Sequence, residues 1–507
     1  MLAKIYSACI QGLISHPVEV QVDVSPGFPS FTIVGLPDTA IQESRERIRA
    51  AIRHCGVPFP DTRVTVNLAP ADVRKEGPSY DLPIAVGILM AAGRLTIPHP
   101  ERTMMVGEVS LDGQVRPVTG VLSMAMMAQQ QGFINVIVPP GNVVEAALVP
   151  AITVLSVSTI ISLLQHYSGQ HLLSVQVHRP PEPEPISTKE DFTHIKGHQF
   201  IKRALEIVAA GGHHIILYGP PGTGKTILAK SILSILPDMT AEEMLSVTQL
   251  YSIAGLLSHH QTYVRSRPFR QPHHSASMAA VVGGGRLPRP GEISLAHHGV
   301  LYLDELPEFQ RAVLEALRQP LEEHTVTVAR VEQSITYPAQ TIFIGSLNPC
   351  PCGYYGDKEK ECTCTPLQLA KYHKKLSGPL LDRVDLFCYV PRINFDTLTS
   401  QTVTESSAAI RVRVQQALNR QRQRYAGSAM ANNATLPNRL INQHCPIDAS
   451  SKRLLRQAMQ TMQLSPRGFH RILRVARTIA DLEDSTNITP HHLSEALQYR
   501  QFFTMQA

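Results

Sequence analysis

Long apolar runs are scarce in this sequence, strong charge of one sign is missing, and cysteines are few. The longest charge-free apolar stretch, LPIAVGILMAAG from Leu82 to Gly93, is too short to span a bilayer. The opening MLAKIYSACIQGLISHPVEV has no apolar core followed by a small-residue cleavage site. A cytoplasmic protein with no membrane partner is therefore expected. A net charge of +6 on 507 residues permits a polyanionic partner without requiring one. Cys9, Cys55, Cys388 and Cys445 stand singly among apolar neighbours, as small buried hydrophobes do in a reducing compartment, and do not form a disulfide framework. With 43% hydrophobic residues the chain can fill several cores, and its length predicts about three domains.

The clearest boundary is HRPPEPEPISTKEDF, His178 to Phe192, where proline and glutamate alternate and apolar periodicity stops. Before it, VEVQVDV and TRVTVNLAP alternate like half-buried strands, and TAIQESRERIRAAIRHCG has helical spacing, so residues 1–177 read as an α+β domain. Residues 178–190 read as linker. From 191 to 391, HHIILYG and later short apolar strands alternate with helices, the pattern of a mostly parallel α/β sheet. After Pro391 only helical, basic patterns remain, so 392–507 is expected to be a helical lid and C-terminal bundle.

GPPGTGKT supplies Gly219, Pro220, Pro221, Gly222, Thr223, Gly224, Lys225 and Thr226, a glycine loop whose backbone N–H groups wrap phosphates at a helix N-terminus. It follows an expected strand and precedes the helical ILAKSILSIL, the context that such a loop needs. Lys225 would reach the β and γ phosphates and the Thr226 hydroxyl would ligate Mg²⁺. In GVLYLDEL an apolar strand ends in two carboxylates, Asp304 for the Mg²⁺ shell and Glu305 for the attacking water. TIFIGSLN would bring Asn348 beside the same γ-phosphate.

Cys350, Cys352, Cys362 and Cys364 form two C-x-C pairs separated by nine residues. Four thiolates in two close pairs fit a closed tetrahedral zinc site, and disulfides within a C-x-C pair are geometrically poor. The pairs are tighter than the usual C-x₂₋₄-C, so another soft metal stays open. A metal clip beginning two residues after Asn348 would fix the end of its strand. The pairs His213–His214, His297–His298 and His273–His274 sit on adjacent residues that point apart on a strand, so they are read as structural, with the His273–His274 loop also a DNA-contact candidate.

The three ATP motifs resemble the core of the AAA+ superfamily. RPFRQPHHSASMAAVVGGGRLPRPGEISLAHHG, LNPCPCG and SGPLLDRVDL narrow the resemblance to the magnesium-chelatase-like family of bacterial AAA+ proteins that includes natural-transformation helicases, and it covers nearly the whole chain. Such a resemblance implies a homo-hexameric ring, ATP and Mg²⁺ as cofactors beside the Zn²⁺ read from the cysteines, and an ATP-driven DNA motor. That motor would promote branch migration and unwinding of single-stranded and branched double-stranded DNA during recombination, with a recombinase as a further partner. It also implies that Arg383 in LLDRVD is a finger completing a neighbour's site, worth roughly 10³–10⁵ in rate. In SPRGFHRILRVAR it places a lid arginine at the nucleotide, Arg467, with Arg471 one turn on as the alternative.

RKEGPSYDLPIAVGIL and VGEVSLDGQVRPVTGVLSMAMMAQQQG resemble the Lon protease fold, related to ribosomal S5 domain 2. The Lon dyad pairs a serine with a lysine. Ser79 stands at the serine position, but Met124 takes the lysine position, and a thioether cannot accept a proton. The domain is therefore expected to be protease-dead. Arg265, Arg267, Arg270, Arg286 and Arg289 on one insert, and Arg330 at the tip of an expected hairpin, are the DNA candidates. Competing readings are a chelatase motor subunit, though the chain has no D-x-S-x-S string, an ATP-dependent protease, and a non-enzymatic DNA-binding regulator.

Overall fold

The structure is a computed structural model that describes residues 1–183, 190–258, 261–285, 288–329, 334–357, 359–399, 404–428 and 430–500. It is an α/β protein of two compact units, one formed by Met1–Pro183 with Thr240–Arg265, the other by the remainder. Among the described residues no helix is long and apolar enough to cross a membrane.

The first unit is built on an eight-stranded mixed sheet. Its strands are β1 (Leu2–Gln11), β2 (Ile14–Ser25), β3 (Ser30–Val34), β4 (Arg63–Ala69), β5 (Thr103–Met105), β6 (Asn135–Val138), β7 (Thr153–Ser156) and β8 (Val175–Gln176), in the spatial order β8-β7-β6-β5-β1-β2-β4-β3. Period-two alternation decides which face is covered: Val18, Val20 and Val22 on β2, and Val64, Val66 and Leu68 on β4, are fully buried. Helix α1 (Thr39–His54) starts where Asp38 accepts the Ile41 N–H at 2.9 Å, and α2 (Asp81–Ala91) is apolar nearly all round and buried. Helix α3 (Val121–Gln130) carries Met124 into a core with Val121, Leu122 and Ala125.

The helix Ala241–Ala254, which lies within the 191–391 span of the linear reading, packs in this unit. Its Gln249 donates to the Leu13 carbonyl at 2.9 Å and to Ser123 Oγ at 3.0 Å, and its Ser252 hydroxyl donates to the buried Glu145 carboxylate. Burial pushes the Glu145 carboxyl up, and its bonds from Ser252, the Leu122 N–H and Asn142 oppose that shift.

The second unit contains α4 (Gln199–Gly211), β9 (Ile215–Tyr218), α5 (Lys225–Ser231), β10 (Phe269–Arg270), β11 (Val300–Leu303), β12 (Thr325–Ala329), β13 (Ser334–Pro338), β14 (Ile342–Leu347), α6 (Pro366–His373) and β15 (Leu386–Tyr389). β12 and β13 form a separate antiparallel hairpin, and the other five strands make one all-parallel sheet in the order β10-β11-β14-β9-β15. The short apolar runs VLYL and IFIGSL belong to its buried central strands, as a sheet covered on both faces requires.

Among the described residues no strand follows Tyr389. The chain continues as α7 (Ser407–Arg424), α8 (Ala449–Thr461), α9 (Pro466–Leu482) and α10 (Pro490–Gln498). Helix α9 begins at a Ser465 cap and buries Ile472, Leu473, Ala476 and Ile479 at helical spacing. The buried Asp481 ties the bundle together, accepting from Asn433 at 2.9 Å, Arg424 at 2.8 Å and Arg477 at 3.2 Å.

Candidate functional site

Parallel pairing places the carboxyl ends of β9, β14 and β11 side by side, the edge where open α/β sheets receive ligands. β9 runs straight into Gly219, and α5 opens at Lys225 after Gly224, whose φ of 85° is readily adopted only by glycine. The Lys225 ammonium donates to the Gly219 and Pro220 carbonyls, both at 2.8 Å, and to Asn348 Oδ1 at 3.1 Å. Burial pushes its pKa down to about 8, against the pull of Asp304 and Glu305. Thr226 Oγ1 lies 3.2 Å from Asp304 Oδ2, and Ser346 donates to the other oxygen of that carboxylate. Tyr302 bridges the two hydroxyls, at 3.3 Å from Thr226 and 3.1 Å from Ser346. Lys225, Thr226, Asp304 and Asn348, read from three separate strings, are thus joined by direct hydrogen bonds.

Glu305 has left-handed backbone, φ 52°, and an exposed carboxylate, 3.5 Å from His274 Nδ1. Asp304 Oδ1 accepts the Glu305 N–H at 3.0 Å, which turns the chain there. Next to the glycine loop, Gly197, His198, Phe200, Tyr218, Tyr389, Ile393 and Asn394 line a cleft of about 720 Å³. The sequence reading missed this cleft, and Ser346 and Tyr302 as well. Ser346 was within reach, because it lies two residues before Asn348 on one strand and so shares its face.

The four cysteines converge. Sγ–Sγ distances are 3.3 Å for Cys350–Cys352, 3.6 Å for Cys352–Cys362 and 3.7 Å for Cys350–Cys362, and Cys364 Sγ accepts the Cys352 N–H at 3.4 Å. A tetrahedron with Zn–S of ~2.3 Å has edges of about 3.8 Å, so these thiols are spaced as such a site needs. All eight cysteines are free thiols. Glu483, His491 and His492 also cluster, but His492 Nδ1 accepts the Thr489 N–H at 3.0 Å, leaving Nε2 as the protonated nitrogen facing Glu483 at 3.1 Å. That nitrogen has no lone pair for a metal.

Arg383 is buried at 9% exposure and held within its own unit. It donates to the Arg318 carbonyl at 3.1 Å, the Pro379 carbonyl at 2.7 Å and Glu322 at 2.7 Å. Arg467 is exposed, 4.0 Å from the other Glu322 oxygen. Arg471 is bound at 2.6 Å to the buried Asp385. Burial raises the Asp385 carboxyl, but Arg471 and His213 pull harder and hold it well below the usual range. Glu322, Asp385, Arg467, Arg471 and Arg474 share a cleft of about 360 Å³.

The basic candidates divide. Arg267 donates to the Pro237, His298 and Asp238 carbonyls at 2.6, 2.7 and 3.2 Å. Arg270 makes a bidentate pair with Glu292, 2.6 Å at each contact. Arg289 is exposed, and Arg265 is exposed with its guanidinium 4.7 Å from the Tyr263 ring centroid. Arg286 and Arg330 lie outside the described residues. In the first unit Ser79 and Met124 are buried at 7% and 3%. His213, His214 and His297 are buried and hydrogen-bonded within the second unit, as structural histidines are.

Three family models match the chain: "Magnesium chelatase, subunit ChlI" over residues 191–398, "Subunit ChlI of Mg-chelatase" over 20–142 and "Magnesium chelatase, subunit ChlI C-terminal" over 404–500. The chain is 42% identical over 506 residues to competence protein ComM of Haemophilus influenzae, covering 98% of this chain and 97% of ComM. It is 41% identical over 503 residues to protein YifB of Escherichia coli K12, with the same coverage. A shorter match, 28% over 164 residues, joins it to the magnesium-chelatase 67 kDa subunit of Chlorobaculum tepidum, covering 31% of this chain and 23% of that subunit.

Proposed function

The chain belongs to the magnesium chelatase subunit ChlI family of AAA+ ATPases, alongside YifB and ComM, and from that premise we propose that it is an ATP-driven hexameric DNA motor. The motor promotes branch migration and unwinding in recombination during natural transformation. The observation that carries this reading is the hydrogen-bonded set Lys225, Thr226, Asp304 and Asn348 in a chain aligned end to end with a competence protein.

In the proposed mechanism the base of ATP enters the cleft beside Tyr218 and its phosphates lie along Gly219–Thr226. Lys225 leaves the carbonyls it now holds and turns to the β and γ phosphates. Thr226 and Asp304 would hold Mg²⁺, which neutralises charge on the phosphates when bound. Glu305 takes the proton of the attacking water, and Asn348 orients that water without adding charge. Arg383, released from Glu322, acts across the subunit boundary on charge developing at the γ-phosphate, with Arg467 as the lid arginine beside it. Arg471, committed to Asp385, is the weaker lid candidate.

Cys350, Cys352, Cys362 and Cys364 would hold Zn²⁺ as a structural clip on the strand end that presents Asn348. The first unit is a Lon-like domain without a proteolytic dyad, followed by the Pro/Glu linker, the ATPase core and the helical lid. Arg265, Arg289 and Arg330 remain the DNA contacts of this reading, since Arg267 and Arg270 are tied to their own unit.

The test is steady-state ATP hydrolysis and strand displacement with and without branched DNA. DNA-stimulated hydrolysis that disappears in Lys225→Ala supports the motor. Robust unwinding by that variant refutes the assigned engine. The partial match to a chelatase subunit favours a second reading, a motor for metal insertion into a tetrapyrrole. ATPase activity indifferent to DNA, with strand exchange absent, would favour it.

A further inference from the structure

The polar side-chain partner of Glu305 comes from the edge of the sheet. β10 pairs with β11 in parallel, Phe269 opposite Val300 and Arg270 opposite Leu301, a constant offset of 31 positions. Both chains leave the sheet at the same end, and the same offset sets residue 274 level with residue 305. His274 Nδ1 is found 3.5 Å from Glu305 Oε2, the one ion-pair or hydrogen-bond partner of that carboxylate among the described residues. The histidine is not a loose surface ring. Phe309 packs against it edge-on, with centroids 6.5 Å apart at 81°, and the His273 ring lies 4.1 Å away on its other side. His273 is itself fixed by Ser275 Oγ at 2.8 Å.

His274 also stands at the root of the insert that carries Arg289. The insert leaves β10 after Arg270 and returns at Glu292, and the bidentate Arg270–Glu292 pair closes it at the base, 2.6 Å at each contact. Within the closure, Gly283–Gly284 pairs with Arg289–Pro290 as a two-stranded ribbon. A force on the exposed Arg289 is therefore delivered to a stapled loop whose first residues include His274. On the other side of the contact, Glu305 sits at a left-handed residue that follows Asp304, where a side chain with few fixed neighbours depends on an outside donor for its direction.

We propose that His274 is the positioning residue of Glu305, donating a hydrogen bond that sets the carboxylate toward the attacking water, and that it transmits phosphate-backbone contact at the insert to that carboxylate. The inference rests on the proposed role of Glu305 as general base and on DNA as the polyanion. His274 does not touch the phosphates. Its loss should spare nucleotide binding and act on the chemical step.

The experiment uses the full chain and compares His274→Ala, His274→Gln and Glu305→Gln, measuring kcat and KM for ATP with and without a saturating branched DNA duplex. His274→Ala is expected to keep KM within about twofold and to lose on the order of tenfold in DNA-stimulated kcat, part of the ~10²–10⁴ that a general base supplies. His274→Gln, which keeps an N–H donor, is expected to recover most of the loss. Wild-type DNA-stimulated kcat in His274→Ala, or a glutamine variant no better than alanine, overturns the positioning role. Full activity in Glu305→Gln would instead overturn the general-base assignment on which the inference rests, so the two failures are told apart.

Discussion

A Cβ placed on Gly353 would lie 2.7 Å from Pro221 Cδ, so the cysteine loop bears directly on the phosphate loop. Gly353 also has φ 88°, which a side chain resists. The loop is anchored on both flanks: Tyr372 donates to the Asn348 carbonyl at 3.1 Å, and Arg392 pairs with Asp357 at 2.9 Å. Gly353→Ala should displace Pro221 and lower kcat/KM for ATP by on the order of 10², the scale of a 1 Å misplacement, while the four thiols keep their metal. Kinetics paired with metal content by mass spectrometry checks this, and unchanged kcat/KM would disconnect the clip from catalysis. Chelation or Cys362→Ser should lower kcat/KM in the same direction.

Lys225 has a pKa of about 8, lowered chiefly by burial, so with only its own chain around it the amine is largely neutral at pH 9. Phosphates favour the ammonium and raise that pKa. Nucleotide binding should then take up a proton above pH 8, and affinity should fall as pH rises through about 8. Calorimetric titration at pH 8.5 in two buffers of different ionisation enthalpy measures the uptake directly. Identical apparent enthalpies would show that Lys225 does not change protonation on binding.

Much of the ATP site was legible because its parts are local. GPPGTGKT, the two acids after GVLYL and the asparagine after TIFIGSL each carry a strand and its end in a few letters, and the parallel sheet needed only to align them. What stayed hidden depends on residues far apart in the chain. Gln249 and Ser252 meet Leu13, Ser123 and Glu145 across more than a hundred positions, so nothing near residue 245 announces that this helix packs with the first unit. The 31-residue offset between His274 and Glu305 has meaning only once β10 is known to lie beside β11. Arg267 and Arg270 share the composition of nucleic-acid contacts, and only their carbonyl and Glu292 partners show that they brace the insert.

In the first unit, Asp81 offers a pH dependence of opposite sign from that of an ordinary surface acid. Burial raises its pKa to about 6, despite Arg47 at 3.0 Å and the Val109 N–H at 3.3 Å. The folded state thus holds this proton more tightly than an unfolded chain of ordinary pKa near 3.8. The contribution is present in full below about 4, declines as pH rises toward 6 and is gone above it. Because two units share the chain, local opening is the proper measure. Hydrogen exchange of α2 amides, compared between wild type and Asp81→Asn, should show relative protection of wild type falling from pH 4 to 6 and level beyond. A constant difference would show that Asp81 does not titrate there.

Arg383 presents the harder question, because a finger for a neighbour's phosphate must be free to reach it. Two of its three bonds go to backbone carbonyls, of Arg318 and Pro379, and these aim the guanidinium without neutralising it. Only Glu322 competes for its charge, and that carboxylate is about one-third exposed, where an ion pair contributes modestly and is screened. The γ-phosphate of an adjoining protomer, carrying more charge, can therefore displace Glu322 while the carbonyls hold the direction. Arg383→Ala alone should lose roughly 10³-fold or more in ATP turnover with nucleotide binding intact. Lys225→Ala should be inactive for the separate reason that its own phosphates are not held. When the two variants are mixed and allowed to co-assemble, some interfaces join an intact glycine loop to an intact Arg383, and turnover should reappear at a substantial fraction of wild type. Restoration that vanishes on dilution below the assembly concentration locates Arg383 in trans, whereas mixtures that stay inactive despite demonstrated co-assembly would return it to the structural pair it makes with Glu322.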